Sequence, residues 1–272
     1  MNKHEDYRKL ARKIRAHAVM MTNLKHSGHV GSSLSMADLL AVLYEKILRI
    51  DPANPTWPER DRFVLSKGHA AAGVYAVMAE KSFFPKEWLR TYYCDNGKLC
   101  GHISHHVPGV EFSTGSLGHG LPVATGMALA GKRAKAKHRV FALLSDGDMN
   151  EGSTWEAIMF AAQQKFDNLT VILDYNRVQA LGHSKDVINL EPLARKLKDF
   201  GWELKEIDGH KFTEIEKALA KLPLKKGKPS FIIAHTIKGK GLKRMENTVA
   251  CHYKCVPDEE LEKAYAEIGV WM

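Results

Sequence analysis

Two hard oxygen donors, the carboxylate of Asp146 and the carboxamide of Asn176, stand just beyond two apolar runs. Val140 to Leu144 is too short for a stable helix and stops at Ser145-Asp146-Gly147, and Leu169 to Leu173 stops at Asp174-Tyr175-Asn176. Runs of that length bounded by turn residues predict buried strands. Between them, Glu151 to Gln164 carries Trp155, Ile158, Met159 and Ala162 at three- and four-residue spacing, which predicts a helix with that stripe facing the core. A strand, helix, strand unit of this length is a parallel crossover. Its right-handed geometry brings Asp146 and Asn176 to the carboxyl ends of neighbouring strands, on the rim where ligands bind. Oxygen donors of this kind suit Mg2+ or Ca2+ beside a phosphate. Gly147 lets an anion approach the backbone, and the helix starting near Asn150 adds a favourable dipole. A plain crossover, its Asp capping a helix and its Asn ending a strand, uses the same residues, so spacing alone leaves both readings open.

Imidazoles are the second chemical resource. His26 and His29 flank Ser27-Gly28 in a stretch reaching Ser33 that reads as a Gly- and Ser-rich loop, and His69 ends the polar turn Ser66-Lys67-Gly68-His69. Cys94, Cys100, His102, His105 and His106 share a loop-like stretch from Tyr92 to His106; zinc is one candidate there, although the spacings match no familiar ligand pattern. A second glycine-rich loop, Ser113-Thr114-Gly115-Ser116-Leu117-Gly118-His119-Gly120, could lie against a flat ring, but such loops before helices are widespread. His252 sits in a Gly- and Lys-rich connection from Thr236 to Cys255.

The elements that must position these groups are legible from periodicity. Tyr7, Leu10, Ile14, Ala18, Met21 and Leu24 recur at helical spacing, Met36 to Leu48 reads as the next helix, and Arg62 to Leu65 as a strand followed by an Ala- and Gly-rich helix from Ala70 to Met78. Small residues there allow close approach either to a bound group or to a neighbouring element. Leu121 to Gly131, Phe212 to Leu222 and Pro257 to Ile268 read as helices, and Trp202 to Ile207 and Ser230 to Ala234 as further strands. The expected fold is α/β, a three-layer parallel sheet with helices on both faces, as one domain over residues 1–272.

The four cysteines form no CxxC pair, which predicts free thiols in a reducing cytoplasm. No apolar run approaches a bilayer span and the amino terminus lacks a signal-like core, so neither membrane insertion nor export is expected. The formal charge of +9 is spread along the chain, with denser groups at Gly131 to Arg139 and Leu224 to Lys228 that read as solvated faces. Such a field attracts phosphorylated substrates. No nucleic-acid motif accompanies it, so nucleic acid is not an expected partner.

Taken in order, Ser27-Gly28-His29, Leu65-Ser66-Lys67-Gly68-His69, Gly101-His102, the stretch Ser113 to Gly120, Ser145-Asp146-Gly147 through Asn176, and Met245-Glu246-Asn247 with His252 resemble the thiamine-diphosphate-binding half of transketolase over nearly the whole chain. That family's cofactor motif is GDG followed some thirty residues later by Asn; here 28 residues, 148 to 175, separate Gly147 from Asn176. The resemblance implies a thiamine diphosphate domain in which Asp146, Asn176 and the Val178 carbonyl ligate Mg2+, or Ca2+. It implies that Gly147 and His69 contact the diphosphate, and that the backbone of Gly115, Ser116 and Leu117 faces the aminopyrimidine. His252 then lies near both cofactor and substrate, His29 and His102 hydrogen-bond sugar hydroxyls, and Glu151 lies near a subunit interface. His29, His69, His102 and His252 are the implied catalytic residues.

The implied reaction transfers a two-carbon ketol unit from a ketose or its phosphate to an aldose or its phosphate, in carbohydrate metabolism. In that family the glutamate that polarises the cofactor's pyrimidine lies in a further domain, for which this sequence, ending at Met272, has no room. The resemblance therefore implies a split enzyme, with a truncated piece of a longer enzyme as the alternative. Its partner, a C-terminal transketolase subunit, supplies the pyrimidine-binding and carboxyl-terminal domains, expected as an α2β2 heterotetramer. Departures from the family pattern are Ser145 for the first Gly of GDG, Arg177 after the metal-site Asn, Cys251 before His252, and Val30 after His29. Deoxyxylulose-phosphate synthase and the alpha subunit of 2-oxoacid dehydrogenase share the Asp and Asn motif, but Met149-Asn150-Glu151-Gly152 and Trp155-Glu156 favour transketolase. A noncatalytic scaffold subunit is the reading of another class, and the retained Asp146, Asn176, His29, His69 and His252 argue against it.

Overall fold

Every apolar run read as a strand is one in the computed structural model, which describes residues 3–270. The strands are β1 (Arg62–Leu65), β2 (Val140–Ser145), β3 (Leu169–Tyr175), β4 (Glu203–Asp208) and β5 (Ser230–His235). They form one sheet in the order β1-β2-β3-β5-β4, parallel at every pairing. Residues 1–2 and 271–272 of the expected 1–272 domain lie outside the described residues.

Parallel strands joined by crossovers bury both faces, and strand alternation sends successive side chains to opposite sides. Phe141 and Leu143 of β2 enter the core on one face with Ile172 and Ile232, while Val140, Ala142 and Leu144 enter the other with Val171 and Phe231. Helices α1 (Lys3–Leu24), α3 (Ala37–Val42), α4 (Ala71–Glu80) and α9 (Phe212–Leu219) cover the first face. Helices α5 (Gly120–Arg133), α6 (Gly152–Gln163) and α8 (Leu193–Asp199) cover the second. The fold is the expected three-layer α/β sandwich. Three further helices, α2 (Val30–Ser35), α7 (Ser184–Val187) and α10 (Leu261–Ile268), lie outside these layers, α2 and α10 sharing a third apolar cluster with Leu242, Met245 and Cys251. Among the described residues no helix is long and apolar enough to cross a membrane.

Three readings of local structure need correction. The stretch read as a loop to Ser33 is helical from Val30, with His29 as its N-cap. Gly31, Ser32, Ser33 and Ser35 are buried because α2 is packed on several sides: Gly31 against Cys251, Ser35 Oγ on Asp174 at 2.5 Å, and Ser33 Oγ accepting the Gly73 N–H of α4 at 3.2 Å. Small residues chosen for close packing had the composition of a loop. Gly73 itself has Met36 Cε 2.8 Å from where a Cβ would be, so helix packing accounts for its small side chain.

The face of α6 also differs: Thr154, Ala157, Ile158 and Ala161 are buried, whereas Met159 is 48% exposed. Burying the smaller stripe brings the helix closer to its neighbours, and the larger side chains are left at the surface. The predicted α1 stripe is buried except for Leu24, the helix's last residue, and the helices α7 and α8 occupy a stretch in which the sequence predicts none.

At the amino end of the sheet, away from the conspicuous rim, Asp61 ties the base together. It accepts the backbone N–H groups of Arg49 and Arg139, each at 2.9 Å, and their guanidinium groups at 2.7 and 2.6 Å. Burial alone would raise its pKa, but the Arg139 and Arg49 hydrogen bonds outweigh that and hold the carboxyl below the usual range. Its contribution to stability is present above the unfolded-state pKa and lost as pH falls through the folded one. Asp61→Asn is therefore expected to cost about 2–4 kcal/mol at neutral pH, measured by urea denaturation, with the deficit shrinking below about pH 4.

Candidate functional site

The rim at the carboxyl ends of the strands gathers most of the predicted chemistry. Ser145 pairs in register with Asp174, so Asp146 and Asn176 stand one and two residues beyond that pair on adjoining strand ends. The turn after β2 is fixed by Asp148, whose Oδ2 accepts from the backbone N–H and hydroxyl of Ser145, both at 2.8 Å. Its Oδ1 accepts from Ser66 Oγ at 2.6 Å and from Gly118 N at 3.1 Å. One carboxylate thus pins the end of β1, the end of β2 and the second glycine-rich loop to each other. Gly68 lets that loop cross close by, with Thr114 O only 2.1 Å from where a Cβ would be.

Beneath the rim, Asp174 is fully buried and forms an ion pair with buried Lys67. Burial would raise its pKa, but Lys67 reverses the direction and keeps the carboxyl ionised. Asp174 also accepts from Ser35 Oγ at 2.5 Å, from Thr236 Oγ1 and from Asn176 Nδ2 at 3.3 Å. With its amide nitrogen turned to Asp174, Asn176 directs Oδ1 the other way, where it accepts the Val178 N–H at 3.1 Å.

Asp146 is buried too, but among the described residues it forms no ion pair such as Lys67 gives Asp174. Its Oδ2 accepts from Ser184 Oγ at 2.6 Å, and Oδ1 has no hydrogen-bond partner among the described residues. Burial, opposed by the Ser184 bond and aided by the Asp174 charge, pushes its pKa up to about 7. The Val178 carbonyl accepts from Lys238 Nζ at 2.9 Å, and that ammonium also lies 2.9 Å from His252 Nδ1. Lys238 is 1% exposed, and burial together with the charge of Lys67 lowers its pKa to about 8.

A cleft of about 240 Å3 opens over these groups, lined by His69, Leu117, Asp146, Gly147, Asn176, Val178 and His252 of the predicted residues. His29 and His102 reach it through the imidazole cluster. The His29 ring centroid is 4.9 Å from His252, 5.1 Å from His69 and 5.8 Å from His102. Burial lowers all four pKa values, that of His252 to about 3, with Lys238 and the other imidazoles adding to the effect for His29, His69 and His252. The cluster is neutral at physiological pH. Because Lys238 donates to Nδ1, neutral His252 carries its proton on Nε2.

Gly115 lies beside His102, its Cβ position 3.7 Å from the ring, whereas Gly115 and Ser116 are exposed and do not line the cleft. Glu151 is exposed next to Gly118. The cysteine and histidine stretch does not assemble a zinc site: His105 bonds Ser113 at 2.7 Å and stacks on His106, and His102 turns to His29. Among the described residues no group of three or more Cys, His, Asp or Glu is placed to hold a metal.

Ser32, Gln179 and Lys238 line the cleft without having been singled out from the sequence. Lys238 lies within a Lys- and Gly-rich run that reads as a solvated connection; only its burial, which places it against Val178 and His252, reveals it. The connection is held from below by a second buried network. Arg15 grips Asp38 at 3.0 and 2.6 Å and bonds Lys240 O at 3.1 Å, while His210 bridges Asp38 and the Ile237 N–H at 2.7 and 2.9 Å.

A family profile described as "Transketolase, thiamine diphosphate binding domain" matches residues 7–271. The chain is 40% identical to one of the subunits of an apulose-4-phosphate transketolase from Actinobacillus succinogenes, over 97% of this chain and 96% of that one. It is 42% identical to a 6-deoxy-6-sulfo-D-fructose transketolase subunit from a Clostridium species, over 89% of this chain and 88% of that one. The crystal structure of transketolase from Campylobacter jejuni superposes with a TM-score of 0.94 at 33% identity, over 99% of this chain but 43% of that one.

The orphaned oxygen of Asp146 carries a measurable cost. A buried carboxyl with a raised pKa favours the folded state below its unfolded pKa and loses that support as pH rises through about 7. Asp146→Asn should raise the stability of the metal-free chain at pH 8 by on the order of 2 kcal/mol, the gain vanishing below about pH 4. Thermal melts across that pH range, in chelator, check both the sign and the window.

Proposed function

This chain belongs to the transketolase family, of which it carries the thiamine diphosphate binding domain, and on that footing we propose that it is the N-terminal subunit of a split, metal-dependent transketolase. The observation that carries the reading is the buried, unpaired Oδ1 of Asp146 on the same rim as the Asn176 carboxamide and the Val178 carbonyl. An isolated anionic oxygen in that position is costly unless a cation joins it. Three oxygens are a donor set for Mg2+, with Ca2+ as the alternative, and the remaining positions fall to phosphate and water. The Val178 carbonyl has a second lone pair beside the one Lys238 uses.

In this reading Gly147 and His69 meet the diphosphate, joined by Lys238, and the Gly115, Ser116 and Leu117 backbone faces the aminopyrimidine. When bound, thiamine diphosphate supplies the electron sink that allows cleavage of the carbon–carbon bond next to a ketone. The chain's own residues hold and orient. His29, His102 and His252, all neutral, donate to sugar hydroxyls and take or return a proton without adding charge to the cleft. The overall reaction moves a two-carbon ketol unit from a ketose to an aldose, free or phosphorylated, as part of carbohydrate metabolism.

The domain proposed over 1–272 is a single diphosphate-binding unit. The chain spans 41–43% of full-length transketolases, yet 96% of a relative that is itself named as one subunit of a transketolase. Both observations favour a partner chain that supplies the pyrimidine-binding and carboxyl-terminal domains, in an α2β2 assembly with Glu151 near the interface. A reducing cytoplasm is the proposed setting, which suits four free cysteines.

Copurification of the native chain, followed by assay of the complex with ketose and aldose phosphates, tests the reading. Activity is expected to need both chains, thiamine diphosphate and a divalent cation, and to fall at least ~100-fold in Asn176→Ala. Turnover of pyruvate in place of a ketose would assign the chain to another thiamine enzyme.

A further inference from the structure

Asp146 Oδ1 is not the only orphaned atom at this rim. Gln179 lines the same cleft, and its Nε2 is buried without a hydrogen-bond partner among the described residues. The other end of the carboxamide is engaged: Oε1 accepts from Asn150 Nδ2 at 3.2 Å. The backbone beneath is fixed as well, since Gln179 N donates to Gly182 O at 2.8 Å and Val178 bridges to His183. The cleft therefore presents two buried, unpaired side-chain atoms of opposite character, a carboxylate acceptor on Asp146 and an amide donor on Gln179.

From this pairing we infer that Gln179 is a binding residue for the phosphate end of the cofactor, its Nε2–H donating to a phosphoryl oxygen beside the metal. The inference rests on the function proposed above and adds a residue to it. An acceptor and a donor lining one cleft are what a cation with a phosphate oxygen requires, one for each. Gly147 lies beside the same carboxamide: a Cβ there would lie 3.9 Å from Gln179 Oε1 and 2.7 Å from Leu117 Cδ1. Asn150 gives the orientation its direction. If both amides were turned over, Gln179 would present an acceptor to the anion, so a bound phosphate selects the arrangement in which Asn150 donates and Gln179 offers its N–H.

Substitution separates this role from support of the loop. Gln179→Glu keeps an oxygen for Asn150 to donate to and replaces only the donor with negative charge. Gln179→Lys does the reverse, giving up the Asn150 contact and supplying an N–H. Calorimetric titration of thiamine diphosphate with Mg2+ into the full chain in its native assembly reads the difference. The expected result is affinity weakened at least ~30-fold in Gln179→Glu, about 5- to 10-fold in Gln179→Ala, and within ~3-fold of the parent in Gln179→Lys. Inorganic pyrophosphate with Mg2+, titrated as a competitor, should follow the same order. Affinity within ~2-fold of the parent in Gln179→Glu, or equal losses in the Glu and Lys variants, overturns the inference and leaves the proposed function intact. Failure of the parent itself to bind thiamine diphosphate removes both.

Discussion

Two buried aspartates, one within β3 and one just past the end of the adjoining β2, are treated oppositely, and the site follows from that difference. Asp174 is held inside by Lys67, two hydroxyls and the Asn176 amide, so its charge is met within the chain. Asp146 receives one hydroxyl and keeps an oxygen free. Burying a charge without a partner is among the costliest arrangements a fold can hold, and the usual escape is protonation or a cation. The complete pairing of Asp174 is what orients Asn176, and the incomplete pairing of Asp146 is what leaves an unmatched carboxylate oxygen on the rim among the described residues.

The imidazoles follow from the same scarcity of water. His29, His69 and His252, with ring centroids 4.9–5.3 Å apart, cannot all be charged, and burial with the nearby Lys238 ammonium lowers their pKa values, while burial alone lowers that of His102. Neutral rings act as donor and acceptor at once, which suits recognition of hydroxyl groups better than a cluster of cations would. Positive charge at the cleft is carried instead by Lys238, held between the Val178 carbonyl and His252.

Support for these groups comes from loops clamped by carboxylates. Asp148 joins the ends of β1 and β2 to the second glycine-rich loop, and Asp38, gripped by Arg15 and His210, holds the connection that carries Lys238. Each such clamp replaces water with several short hydrogen bonds, which makes the geometry of a loop as definite as that of a strand. The Gln179 carboxamide, braced by Asn150, extends the same design to the cleft wall.

All five strands were legible in the sequence: the central β2, β3 and β5 as apolar runs, because a parallel sheet buried on both faces leaves little freedom in what its inner strands contain, while the edge strand β4 is mostly polar and only partly buried. The placement of Asp146 and Asn176 just beyond adjoining strand ends was likewise legible, since right-handed crossover geometry follows from chain chirality. What the sequence misplaced were features decided by proximity between distant segments. Small residues in α2 were packing rather than loop chemistry, the buried stripe of α6 turned on which side chains were small, and Lys238 in a lysine-rich run was buried. That Asp146 and Asn176 are oxygen donors on one rim was written in residue types and spacing. Which donors were left unpaired, which imidazoles were neutral and which amide faced the cleft depended on burial and on partners more than a hundred residues away in some cases, and only the assembled fold sets those.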